Sequence, residues 1–153
     1  QTDKMRAYSI LATVAVLFLF NACTSGSADK KVPALADEMC DCFTGFQKGL
    51  SPEVMDLMKK VSTAANPRQE MQEGLAKLKP EEAQAFIGKF KEISEKNSEV
   101  NKCMQEFDKR HAKETTKDKK ALTEKMLTEM QGNTNCPVGA AVVNIGLQQQ
   151  VVK

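Results

Sequence analysis

An all-α bundle of about five helices, stapled by disulfides, is the fold that the sequence predicts, and three observations carry it. Apolar residues recur at spacings of three and four along most of the chain, and no strand-like alternation extends over four or more residues. Leu, Met, Ala and Lys are plentiful while aromatics make up 5% with no Trp, a balance that favours helix over sheet. Five cysteines are present, and once Cys23 is set apart the remaining four form an even set. The chain has 153 residues, 41% apolar and 27% charged, which suits one domain around one core. A formal charge of only +2, with acids and bases interspersed, leaves no electrostatic footprint for nucleic acid.

Met5 is read as the natural start, with Gln1 to Lys4 a non-native addition. A basic residue, Arg6, then precedes an apolar run from Ile10 to Phe20 that ends in Asn21-Ala22-Cys23. The run falls short of the roughly 20 apolar residues that span a bilayer, and its order of basic residue, apolar stretch and small residue is that of a signal peptide.

These residues resemble the signal of a bacterial lipoprotein, whose lipobox ends in a small residue before the cysteine that is lipidated. Ala22 matches the small position and Cys23 the acceptor. The resemblance covers only the first 23 residues. It implies a signal peptide over 1–22 and a lipidated tether over 23–32, ahead of a helical bundle over 33–153. It also implies acyl chains, palmitate among them, linked to Cys23, and a lipid-anchored protein of the bacterial envelope that faces the periplasm or the cell exterior. Several acyl chains on one residue anchor stably, whereas one binds marginally. The small polar stretch Thr24 to Lys31 has nothing to bury and reads as flexible tether.

Pro33 suits a first helical turn, and Leu35, Ala36, Met39, Phe43, Phe46 and Leu50 continue as an amphipathic stripe until Gly49 and Ser51-Pro52 end it. Ser51 is an N-cap for a second helix carrying Val54, Leu57, Met58 and Val61, closed by Asn66-Pro67. A short third helix carries Met71, Leu75 and Leu78 and stops at Lys79-Pro80. In the fourth segment Phe86, Phe90, Ile93, Asn97, Val100, Met104, Phe107 and His111 follow a 4-3 spacing, which predicts one continuous helix with a heptad seam. Asn97 and His111 are its polar members. The seam serves this bundle or, in the alternative, a second copy of the chain.

The apolar-free stretch from Lys113 to Lys120 calls for a bend near Thr115-Thr116, because one helix from Glu81 to Met130 would run about 75 Å. Leu122, Met126, Leu127 and Met130 resume an apolar face before Gly132 to Asn135 stops it. Cys136-Pro137 opens a last helix with Val138, Ala141, Val142, Ile145 and Val152 on one side, and Gly139 and Gly146 are expected to allow close helix contact.

At about 100° per residue, Cys40 and Cys42 diverge by about 160° around the first helix and cannot pair with each other. They flank the stripe on opposite edges, so each is expected to bridge to Cys103 or Cys136, in either order. A bridge that closes about 60 residues contributes on the order of 4 kcal/mol in the chain-entropy view.

Chemical readings of the same pair are weaker. Cys-x-Cys with methionines nearby can hold Cu(I), but Met55, Met58, Met71, Met104 and Met126 lie on apolar stripes where Met fills core. Thiol exchange favours Cys-x-x-Cys at a helix N-terminus, and Cys40 and Cys42 lie inside a helix. His111 is the single histidine, expected on a charged or solvated helix position, and the adjacent pairs Asp37-Glu38 and Glu81-Glu82 read as solvated faces. No phosphate loop, nucleophile elbow or zinc motif occurs. The sequence therefore predicts a non-catalytic, lipid-anchored structural or interaction module without cofactor or resident metal, partnered by the membrane and by an envelope protein or itself. The alternative is a Cu(I) or thiol-redox module built on Cys40 and Cys42.

Overall fold

Proline sets the opening of most helices in this chain. The computed structural model describes residues 31–115 and 118–151, so the expected signal peptide and Cys23 lie outside the described residues, as does Val152. The helical domain runs from Val32, which is itself buried, so packing begins at the last residue of the expected tether.

Eight helical segments occur among the described residues, and no strand: α1 (Val32–Gln47), α2 (Pro52–Thr63), α3 (Pro67–Lys77), α4 (Pro80–Ser94), α5 (Glu99–Arg110), α6 (Ala112–Thr115), α7 (Lys119–Gly132) and α8 (Pro137–Val151). Pro52, Pro67, Pro80 and Pro137 each stand at the first position of a helix, where the missing N–H costs nothing and the fixed φ suits the first turn. The caps follow from local chemistry. Ser51 Oγ accepts from Val54 N, Asn66 Oδ1 from Gln69 N, and Asp118 Oδ1 from Ala121 N, each occupying an amide that the helix leaves open. Asn66 thus belongs to the start of α3 as much as to the end of α2.

Helix α8 is the central member. It packs most extensively on α2 and also touches α7, α1 and α3, while α1 packs on α7 and α5. A run such as Val138-Gly139-Ala140-Ala141, apolar on every side, requires that burial: Val138, Ala140 and Ala141 are fully inaccessible. Phe43, Met58, Val61, Phe107 and Met130 complete the innermost layer. Each such side chain contributes about 1.5–3 kcal/mol by leaving water. Gly139 lets α8 approach: a Cβ there would lie 2.9 Å from Cys136 Sγ, 3.0 Å from Met130 Cε and 3.0 Å from Phe43 Cδ2. A Cβ on Gly146 would meet nothing within 4 Å, so the close contact expected of both glycines belongs to Gly139 alone. Gly74 is the unforeseen counterpart, since a Cβ there would overlap the side chain of Leu57 where α3 lies on α2.

The fourth segment differs most from expectation. It is two helices, α4 and α5, with a turn at Glu95 to Ser98. Ser98 is the cause: its Oγ accepts from Asn101 N at 3.1 Å and donates to the Ile93 carbonyl at 3.3 Å, capping α5 while closing α4. Asn97 is therefore an exposed turn residue and has no place on a seam. Phe86, Val100 and Phe107, taken as seam members, are buried in this chain's own core. The helix interrupts again at His111; α6 ends at Thr115 and α7 begins at Lys119, and the bend expected near Thr115-Thr116 falls partly outside the described residues, since Thr116 and Lys117 lie outside them. These interruptions give eight segments where about five were expected. Among the described residues, no helix is long and apolar enough to cross a membrane.

Candidate functional site

The region around Cys40 and Cys42 on α1 is where the most distant parts of the domain converge. Both cysteines are buried, on opposite edges of the stripe formed by Leu35, Met39 and Phe43. Cys40 is bonded to Cys136, directly before α8, with Cα atoms 5.3 Å apart; Cys42 is bonded to Cys103 on α5, with Cα atoms 5.5 Å apart. Both separations lie in the range that a disulfide accommodates. Of the two orders that the sequence leaves open, this one follows from the packing: α1 has α5 on the Cys42 edge and the start of α8 on the Cys40 edge.

One turn before Cys42, Glu38 joins α1 to the end of α5 a second time. Its Oε1 lies 2.6 Å from Arg110 Nη1 and its Oε2 lies 2.7 Å from His111 Nε2. The imidazole leans on Phe107, with ring centroids 4.8 Å apart and planes at 51°. Glu38 and His111 are half-buried interhelical contacts, which corrects the reading of Glu38 as part of a solvated face and sets His111, expected on a charged or solvated helix position, against a carboxylate. Helix geometry could not have paired them, since they lie 73 residues apart. Asp37, the other half of that acidic pair, is exposed and accepts from Asn133 Nδ2 at 3.2 Å.

Two side-chain amide clusters complete the frame. Gln47, at the last position of α1, accepts from Val138 N at 3.2 Å and donates to the Asn135 carbonyl at 2.9 Å, so α1 caps the start of α8 close to Cys136. At the other end, Asn144 is buried and its Nδ2 lies 3.0 to 3.1 Å from the carbonyls of Val61, Ser62 and Ala64. Gln131 Nε2 donates to the Ser62 carbonyl at 2.6 Å, and Gln148 Nε2 donates to the Ala65 carbonyl. These amides supply donors to carbonyls at and just beyond the end of α2, where the Val61 carbonyl also accepts from the N–H of the C-cap residue Ala64. The available signal for Asn144 is a lone amide inside Ala140-Ala141-Val142-Val143-Asn144-Ile145, a polar interruption that burial must explain.

The chemistry open to this arrangement is limited. With Cys40, Cys42, Cys103 and Cys136 in S–S bonds, none of them presents a thiolate for a soft metal or for exchange. Glu38 and His111 form one carboxylate–imidazole pair, and among the described residues no three His, Cys, Asp or Glu side chains converge to hold a metal ion. Met58 and Met126 are buried in the hydrophobic core, and Met55, Met71 and Met104 pack against it.

No known protein family, no curated protein and no solved structure matches this chain.

Proposed function

We propose that the chain is a lipoprotein of the bacterial envelope that is acylated at Cys23 and holds the α1–α8 domain at a membrane surface as a non-catalytic structural or interaction module. The observation that carries this reading is cysteine usage. Two disulfides buried among helices are the habit of exported proteins, which fold in oxidising surroundings, and are rare where glutathione keeps thiols reduced. The basic residue, apolar run and Ala22-Cys23 junction supply the anchor. The frame around α1 favours rigidity over turnover: its sulfurs are oxidised, its carboxylate is engaged by two cations or donors, and its helix ends are capped from neighbouring helices.

Metabolic labelling with an alkyne-bearing fatty acid tests the anchor. The chain is expected to take up label and to sediment with membranes, and Cys23→Ser is expected to lose both properties together. Unlabelled wild-type chain, or label that survives Cys23→Ser, would contradict the proposal.

A further inference from the structure

Helices α3, α4 and α8 leave between them an open groove of about 300 Å³ that no part of the described chain fills. Met71 and Leu75 of α3, Phe86, Ile87 and Phe90 of α4, and Ile145 of α8 form its walls. Ile87 is 42% exposed, the large hydrophobic residue that the described fold leaves most open to water. Two charged residues line the groove, Arg68 and Lys91, and both are exposed cations. Among the described residues neither has an ion-pair partner, although the chain carries 20 carboxylate side chains.

We infer that this groove binds a single-chain carboxylate amphiphile, a fatty-acid anion. Its apolar walls take the acyl chain out of water, and Arg68 and Lys91 meet the carboxylate where it emerges, Arg by paired N–H donors and Lys as a point charge. The volume of about 300 Å³ equals that of roughly ten molecules of liquid water, which suits one chain of about ten methylene groups. It lies at the small end of ligand cavities. The two lining cations select against a neutral tail of equal length. The inference rests on the helical domain alone and does not require acylation of Cys23.

The test uses the full chain in phosphatidylcholine vesicles, with a photoreactive decanoic acid carrying a diazirine and the matching decanol as neutral control. Adducts from the acid are expected on peptides that contain Met71, Ile87 or Phe90, and the alcohol is expected to label them more weakly. Arg68→Glu combined with Lys91→Glu is expected to lower the acid's yield about tenfold, the combined effect of two exposed charge contacts reversed. Arg68→Gln with Lys91→Gln gives a smaller loss and serves as the second variant; retention of both disulfides by mass certifies the fold of each. Equal labelling by acid and alcohol, adducts spread over the whole domain, or unchanged yield in folded variants would each overturn the inference.

Discussion

Asn144 on α8 donates to the carbonyl of Val61, three residues before the C-cap of α2, across 3.0 Å in the buried interior. The same Nδ2 stands within 3.1 Å of the Ser62 and Ala64 carbonyls, so three acceptors compete for two protons and fix the orientation of the amide. Replacement by Leu keeps the volume and removes both donors. Asn144→Leu is expected to destabilise the domain by about 1–2 kcal/mol, since the Ala64 carbonyl then loses its donor, while the Val61 carbonyl keeps the Ala64 N–H and the Ser62 carbonyl keeps Gln131. Urea unfolding followed by helical circular dichroism measures this. A loss below about 0.5 kcal/mol would show that water replaces the amide.

Two glycines on one helix are expected to respond with opposite sign. Gly139→Ala forces a methyl against the Cys136 sulfur, Met130 and Phe43 and should cost about 1–3 kcal/mol. Gly146→Ala meets open space and should stabilise α8 by about 0.5–1 kcal/mol through helix propensity alone. Thermal melting of the two variants side by side decides the point. Equal shifts would contradict the packing of α8 on α1 and α7.

Asn97 provides a test of the turn between α4 and α5. A seam asparagine replaced by Leu would raise stability or alter self-association, as a polar residue at an inner position sets register at a cost. In the fold described, Asn97 is exposed in a turn, so Asn97→Leu is expected to move stability by less than about 0.5 kcal/mol and leave the sedimentation coefficient unchanged. Ser98→Ala removes the side-chain cap of α5 and should cost about 1 kcal/mol. The reverse order of effects would restore a continuous helix.

The two disulfides form nested loops, with the 61-residue separation of Cys42 and Cys103 inside the 96-residue separation of Cys40 and Cys136. With either bridge intact, the ends of the other are already held close, so replacing one pair by Ser is expected to cost about 3–4 kcal/mol. Replacing both should cost more than the sum of the single losses and take a large share of a total stability of about 5–15 kcal/mol. Denaturant midpoints of the three variants report this. Additivity, or single losses below about 1 kcal/mol, would place the stability in the core and not in the staples.

Features encoded in neighbouring residues were legible in the sequence. Ser51-Pro52, Asn66-Pro67, Lys79-Pro80 and Cys136-Pro137 mark helix boundaries because capping and proline geometry act within one turn. The divergence of Cys40 and Cys42 follows from helical pitch, and it correctly sends them to two different partners. The order of pairing depends on which helix lies on which side of α1, and pitch carries no such information. The 4-3 spacing from Phe86 to His111 misled because the turn at Glu95 to Ser98 preserves its count, while the cap made by Ser98 is a local signal that the long pattern obscured. Glu38 with His111, and Asn144 with the end of α2, are contacts between distant segments whose residue types have no local reason to be paired.

Mass spectrometry of the membrane-extracted chain tests the central claim most directly, as intact mass with and without reduction and alkylation, followed by peptide mapping without reduction. The account predicts a mature chain that starts at an acylated Cys23, takes up no alkylating reagent until reduced, and yields two linked peptides joining Cys40 to Cys136 and Cys42 to Cys103. Free thiols at Cys40 and Cys42 in the unreduced chain, or an unmodified Cys23, would contradict it.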